Sequence, residues 1–488
     1  MVARGPLRHT VVISDVHLGE AEPPGDDRWL RYRQRQFFPD DEFVQFVELM
    51  LSSLSDDDAF ELVFDGDLLE FEGPKVIDGV SRFDDAPRSE EEAVEMLQRV
   101  ARDHTRFFGA VARIASIGHR IVFVAGNHDA QLSFPRVQSA LLGSIAAQLP
   151  PGDEALARVS IHPWFYQTDD GVHVEHGHQY DAYCSFRDPL RPLDVAGMEI
   201  QPTVGSLAFR HLVSRMGYFN AYDDRSFMLS VPRYLLHWVR YYLFTRRSLA
   251  YTWLRGALKI MLELVRSRPA RSLRATLREQ AVIQRAAYAQ TLAMDAKALA
   301  AHAGLFSEPA DASPHRVVRE LRLDHTALAA VGLAGLITAA FKPKLGLAMA
   351  LGALAVGIAQ EVIAPRESFS AGAGYRHVDN VARSIAKIYR ARAVVFGHTH
   401  VPNAQIEDGA IYANAGSWAP TAEDAEMTRP STKGRPVVWL RRPKDDPDAP
   451  MSGGLYRYRN GALVPHTVTI GDAEDAASEL GEPTFATS

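Results

Sequence analysis

Cys184 is the only cysteine in these 488 residues. No intrachain disulfide can form, which excludes a disulfide-stapled scaffold and fits a reducing compartment. Nor can one cysteine build a multi-thiolate metal site, which leaves imidazole, carboxylate and amide oxygen as the main donors for any metal. There is no basic excess either. The formal net charge is −7, which argues against a long nucleic acid as partner, since that binding rests on phosphate neutralisation. The start, MVARGPLRHT, lacks an apolar stretch. That predicts no cleaved leader and a cytoplasmic catalytic part. Long apolar runs are scarce: two uncharged ones, Thr326–Phe341 and Leu345–Gln360, are sixteen residues each. No internal repeat is evident.

The chain does have a globular composition, 47% hydrophobic and 23% charged, with ample material for a core. Its length suits about three average domains. The charge is uneven. Arg233–Arg285 holds twelve Lys or Arg against two Glu, a local +10, so the remainder carries −17.

Five short motifs stand out: Asp15-Val16-His17, Gly66-Asp67, Gly126-Asn127-His128-Asp129, His176-Gly177-His178 and Gly397-His398-Thr399-His400. Each follows an apolar run that reads as a strand: Thr10–Ile13, Glu61–Phe64, Ile121–Val124, Val172–Val174 and Ala393–Phe396. Hard donors therefore collect at strand ends, where open α/β sheets place their ligand sites. A lone His-x-His or Asp-x-His is usually accidental, with roughly one chance in ten of binding metal. Five in order, each at a strand end, are not explained that way.

Helical spacing over Asp41–Leu54 and Glu90–Ile117 separates the first strands and predicts a layered α/β sheet, mostly parallel or mixed. The strand rhythm then stops until the last motif. We read 8–188 and 371–470 as two parts of one catalytic core, 189–370 as a mainly helical insertion, and 471–488 as a flexible tail. Within the insertion, Pro189–Asp224 reads as irregular, Arg233–Thr291 as basic aromatic helix and Ser307–His315 as a linker. The two apolar runs follow, split by Lys342-Pro343-Lys344. After the last motif, strands are expected near Gln405, near Tyr412 and over Val437–Leu440. A hairpin of Leu455–Tyr458 and Ala462–Pro465 should turn at Asn460-Gly461. Arg442–Gly454 reads as a loop.

A phosphate ester resists hydrolysis because its anionic oxygens repel a nucleophile. Two divalent cations neutralise the phosphate, lower the pKa of a bound water and clamp the in-line geometry. Asp15, His17, Asp67, Asn127, His176, His398 and His400 form a donor set for two such ions. Mn²⁺ is the first expectation, with Fe²⁺, Zn²⁺, Ni²⁺ and Co²⁺ open.

This motif series resembles the calcineurin-like metallophosphoesterase superfamily over residues 8–185 and 375–420. The resemblance implies a four-layer α/β/β/α sandwich. It implies one metal on Asp15, His17, Asp67 and His400, and another on Asp67, Asn127, His176 and His398, with Asp67 bridging. His128 would stabilise the transition state and protonate the leaving oxygen, oriented by Glu70. Ser14–Gly19, Gly66–Glu70, Gly397–Pro402 and Asn414–Trp418 (SDVHLG, GDLLE, GHTHVP, NAGSW) are similar to the UDP-2,3-diacylglucosamine pyrophosphatase-like branch. That branch is membrane-peripheral and acts on a lipid-linked nucleotide. Its best-known members carry Arg where this chain has His128, and Asp where it has His178.

Several features have two readings. Arg28, Arg31, Arg33 and Arg35, interleaved with Trp29, Tyr32, Phe37 and Phe38, form either a substrate wall or a solvated helix face. The basic aromatic stretch, with Tyr234, Trp238, Tyr241, Tyr242, Phe244, Tyr251 and Trp253, suits an anionic membrane surface or a packed cap. The apolar runs form a hairpin at the inner membrane, either dipping into one leaflet or passing twice through it, or one buried in the insertion or a dimer interface. His119, His162 and His173 read as structural, His178 as a neighbour of the ligands, and Cys184 as a small buried apolar group. The expected function is a dinuclear hydrolase of phosphoester or pyrophosphate bonds, on a phosphorylated small molecule or a lipid-linked substrate. The alternatives are a soluble phosphodiesterase or phosphatase on small nucleotides or phosphoproteins, and a non-catalytic scaffold. Oligomeric state is not legible.

Overall fold

A computed structural model of the protein describes residues 6–23, 31–83, 86–194, 196–216, 239, 249–267, 273–321, 323–363, 371–422, 429–446 and 449–466. Its fold is mixed α/β. The strands are β1 (Leu7–Ile13), β2 (Ala59–Asp65), β3 (Lys75–Ile77), β4 (Val80–Arg82), β5 (Arg120–Val124), β6 (Val159–His162), β7 (Phe165–Gln167) and β8 (Val172–Glu175). They continue with β9 (Ala393–Phe396), β10 (Asn403–Glu407), β11 (Ala410–Asn414), β12 (Arg435–Pro443), β13 (Ser452–Arg459) and β14 (Ala462–Pro465).

Two mixed sheets carry the site. The seven-stranded sheet runs β14-β13-β12-β1-β2-β5-β6 and the five-stranded sheet β10-β11-β9-β8-β7; β3 and β4 form a separate ribbon. In the first sheet β1, β2, β5 and β6 are parallel, with β12 antiparallel to β1. In the second, β8, β9 and β11 are parallel. All five strands that precede motifs therefore lie in parallel register, and their C-terminal ends carry the donor loops.

Strand alternation explains the layering. Val11, Ile13, Leu62, Phe64, Ile121 and Phe123 face one core, shared with Phe43 and Phe46 of helix α1 (Asp40–Ser52), Met96 of α2 (Glu90–Asp103) and Phe107 of α3 (Thr105–Ser116). The intervening Val12, Val63 and Val122 face a second core, built with Val172, Val174, Val395 and Ile411 of the other sheet. The outer face of that sheet, through Val394 and Phe396, packs on Val381 and Ile385 of the Ala371–Tyr389 helix. Burial on both faces is why these strands read as unbroken apolar runs rather than alternating ones.

Four local expectations are corrected. Glu90–Ile117 is two helices, broken at His104, whose ring bridges Asp40 Oδ2 (2.8 Å) and Gly19 O (2.9 Å). Pro189–Asp224 is not irregular throughout: Val204–Met216 is helical, with a π-turn at Phe209–Val213. Ser307–His315 is no loose linker, since Ala310 is buried and Asp311 accepts from Arg187. The Arg442–Gly454 loop is shorter than expected, because β12 extends to Pro443 and β13 starts at Ser452. The 471–488 tail, Arg28, Trp29, Tyr234, Trp238, Tyr241, Tyr242 and Phe244 lie outside the described residues.

Candidate metal centre

The chain turns sharply as it leaves each sheet. Asp15, His17, Asp67, His398 and His400 all adopt left-handed backbone, with φ of 54°, 51°, 50°, 63° and 59°. Such conformations persist in non-glycine residues only where the surroundings over-determine them, each costing on the order of 1–3 kcal/mol. Backbone pairing between loops supplies that constraint. The Asp15 amide donates to Gly66 O (3.2 Å), His17 to Asp67 O (2.9 Å) and Gly397 to His176 O (3.1 Å). The glycines preceding the donors are sterically required. A Cβ on Gly66 (φ 75°) would lie 2.4 Å from the His176 ring, and one on Gly397 1.9 Å from Ser14 Oγ.

These turns bring donor atoms from both sheets together. Asp15, His17 and His400 form one group, Asp15, Asp67 and His176 another, and His17, Glu70 and His128 a third; within each group the donor atoms lie within 4.8 Å of one another. Each carboxylate is anchored by one oxygen and presents the other. Asp15 Oδ2 accepts from Ser14 Oγ (2.5 Å) and the His398 amide (3.0 Å). Its Oδ1 lies 3.1 Å from His400 Nε2, 3.8 Å from His17 Nε2 and 3.9 Å from His176 Nε2. Asp67 Oδ1 accepts from the His128 amide (2.7 Å), leaving Oδ2 at 3.1 Å from His176 Nε2. His176 Nδ1 donates to Asp65 O (2.8 Å), which orients Nε2 toward the carboxylates.

The residues fit cations. Asp15 Oδ1, Asn127 Oδ1 and His176 Nε2 are buried and lack any aligned hydrogen-bond partner. Buried polar atoms are ordinarily paired, and a divalent ion is the partner that suits carboxylate, amide oxygen and imidazole together. Electrostatics agree. Burial opposes ionisation of Asp15 and Asp67, yet the neighbouring imidazoles hold Asp15 below, and Asp67 well below, the usual carboxylate range. Burial would lower His176, but Asp67 and Asp15 hold it well above its ordinary value. His17 is lowered by burial, which its Glu70 contact only partly offsets.

Glu70 divides its carboxylate between two imidazoles: Oε2 lies 3.1 Å from His17 Nδ1 and Oε1 2.9 Å from His128 Nδ1. Burial alone would depress the His128 imidazolium, but Glu70 and Asp67 override it and raise its pKa to about 10. The His128 ring makes edge contacts with His17 and with Phe209, each at 4.8 Å between centroids. Phe209 belongs to the π-turn of the insertion, so the insertion packs directly against the site. Next in the chain, Arg210 makes a buried ion pair with Glu72, whose amide donates to Glu70 Oε1 (2.8 Å).

The remaining expectations divide. His398 lies beside the cluster, its ring 5.4 Å from His176 and its Nε2 3.2 Å from Asp181 Oδ2. His178 stays outside the three groups, pushed down to about 3 by burial and by the His176 and His398 charges. Arg33 does not line a substrate wall. Its guanidinium is 5% exposed with its residue and donates to Glu20 O (2.7 Å) and Pro74 O (2.6 Å), pinning the loops after β1 and β2. The Arg31 side chain lies outside the described ones.

Three supporting residues escaped the sequence reading. Asp129 ties the loops together, accepting from Gly126 (2.6 Å), Leu68 (2.8 Å) and Leu69 (3.3 Å) amides. Burial and the Asp67 charge push it up to about 7. Ser14 also donates to Asp65 O (2.6 Å). Both sit inside recognised motifs, which was the available signal. Asp181 had none. His173, read as structural, joins Glu175 and His302 in a separate buried group, where Tyr180 and Trp164 donate to Glu175. Searches against family models and against curated proteins found no match for this chain.

Proposed function

We propose that this protein is a metal-dependent hydrolase of phosphoester or pyrophosphate bonds, of the calcineurin-like type. One observation carries the reading: strand-end loops bring Asp15, His17, Asp67, His176 and His400 into donor groups linked through Asp15, with Asp15 Oδ1 and His176 Nε2 buried and lacking an aligned hydrogen bond. Helices on the outer faces of two stacked sheets support the four-layer α/β/β/α arrangement that such a hydrolase would have.

In this reading Asp15, His17, Asp67 and His400 hold one divalent ion and Asp67, Asn127, His176 and His398 the other, with Mn²⁺ favoured. The ions would neutralise the substrate phosphate and supply an activated water. The chain does the rest. Asp67 would offer Oδ2 as a donor, since its Oδ1 is held by the His128 amide. Glu70 holds Nδ1 of His128, leaving Nε2 to donate a proton to the departing oxygen. A phosphate brought close to His128 would reinforce the protonated form that Glu70 and Asp67 already favour. Phe209, in edge contact with that ring, helps to keep water from it.

A scaffold without catalysis is disfavoured, because every donor position is filled. The insertion's contact with His128 and its exposed apolar surface favour a lipid-linked nucleotide over a small soluble ester. The test compares UMP release from UDP-2,3-diacylglucosamine in detergent with turnover of a soluble bis-aryl phosphodiester, both with Mn²⁺. Turnover of either supports the hydrolase. Turnover of the lipid nucleotide alone supports the narrower substrate. Neither, from protein that binds Mn²⁺, would sink the proposal.

A further inference from the structure

The insertion holds a helical hairpin whose surface inverts that of a soluble bundle. Its arms are Leu323–Ala339 and Pro343–Ile363. Small residues line the contact between them. A Cβ on Gly346 would lie 2.2 Å from Ala339 N, and one on Gly335 2.8 Å from Ala350 N. The large apolar side chains point the other way. Leu333, Leu336 and Ile337 are each 61% exposed, Leu354 60%, Ile358 57% and Phe341 84%. Pro343–Gln360 is long and apolar enough to cross a membrane, and only 6% of it is buried. It is therefore not the core helix of a soluble domain.

We propose that this hairpin crosses a lipid bilayer as a two-pass anchor, with its Lys342-Pro343-Lys344 turn at the face opposite the catalytic core. Three features select lipid as the occupant. The exposed side chains surround both helices, so no single flat partner could cover them, whereas an annular solvent could. Close packing through small residues with large apolar groups outward is how helices associate where water supplies no drive. The uncharged stretch ends at Asp324 and Glu361 on one side and at Lys342 and Lys344 on the other. The helical span Pro343–Gln360, which includes Lys344, reaches about 27 Å, and its uncharged part Leu345–Gln360 about 24 Å, against a hydrocarbon thickness of about 30 Å.

Depth follows from the lysines. A hairpin that stopped within one leaflet would hold two ammonium groups near the bilayer centre, where they are strongly disfavoured. Full crossing lets both snorkel to the far headgroups. Arg316 and Arg319, in the short helix before the first arm, bring cations to the near face as well. Cations at both ends suit anionic lipid.

The test uses the full chain and preformed sealed vesicles of phosphatidylethanolamine and phosphatidylglycerol. The protein should float with the vesicles and survive an alkaline carbonate wash. Phe341→Cys and Ala301→Cys are each treated with a membrane-impermeant maleimide, the unsubstituted protein with buried Cys184 giving the background. Ala301→Cys should react at once and Phe341→Cys only after detergent lysis. Equal labelling before lysis would overturn full crossing. The double variant Leu333→Lys, Leu354→Lys changes exposed positions only. It should leave the vesicles at least tenfold while keeping turnover of a soluble diester. A wild-type protein that never floats overturns the proposal. So does a soluble dimer that these substitutions split, which would give the surface to a second copy.

Discussion

The donor cluster and the helical hairpin break the ordinary burial rule in opposite directions. The cluster buries carboxylates and imidazoles that normally face water. The hairpin exposes leucines and a phenylalanine that normally avoid it. Each anomaly supports one of the two proposals, divalent cations for the first and hydrocarbon for the second. The cluster is held by backbone pairing between loops and by glycines with no room for a side chain. The hairpin is held by helix-to-helix contact of small residues. The difference teaches that buried charge here is a matter of site chemistry, and exposed apolar surface a matter of address.

Five changes would break or sharpen this contrast. Asp67→Ala removes the carboxylate proposed to serve both ions and should abolish both metal retention and turnover, measured by elemental analysis and diester hydrolysis. His128→Ala should keep its metal and lose about 10²–10⁴-fold in kcat, the usual contribution of a positioned proton donor. A metal-loaded variant that retains full turnover would remove His128 from the chemistry. Arg210→Met strands Glu72 as a buried unpaired carboxylate and should cost about 3–5 kcal/mol in denaturant unfolding. Glu70→Gln keeps the shape but weakens the hold on His17 and His128; outer-sphere partners of this kind typically matter about 10–100-fold.

The fifth is a pH dependence in chelated, metal-free protein. The folded pKa of His128 is raised to about 10 by Glu70 and Asp67. Its contribution is therefore complete below the ordinary histidine pKa of about 6.5 and lost as pH rises toward 10. The gap in Tm between wild type and His128→Ala should be widest near pH 6 and should close steadily above it. A gap that widens with pH would mean that the ring is buried neutral.

The site was more legible than its surroundings for a physical reason. Each donor follows a strand buried on both faces, so an unbroken apolar run announces it. The glycine before Asp67 or His398 marks a turn too tight for a side chain. What escaped depends on tertiary partners. Nothing in the local pattern says that Arg33 turns inward to the carbonyls of Glu20 and Pro74, and a guanidinium between aromatics suits a surface equally well. His104 breaks a continuous helical spacing because its ring finds Asp40 and Gly19, distant in sequence. Phe209 and His302 come from the insertion, where no motif flags them, and reach the core only once the chain is folded.

The central claim is that the orphaned donors hold two catalytic cations. The most direct measurement is bound metal per chain alongside turnover of a bis-aryl phosphodiester or UDP-2,3-diacylglucosamine, before and after chelation. The account predicts about two ions per Mn²⁺-loaded chain, activity lost on chelation and regained with Mn²⁺, and neither ion nor activity in Asp67→Ala. Folded protein that binds no divalent metal, or hydrolyses as well without it, would contradict the account.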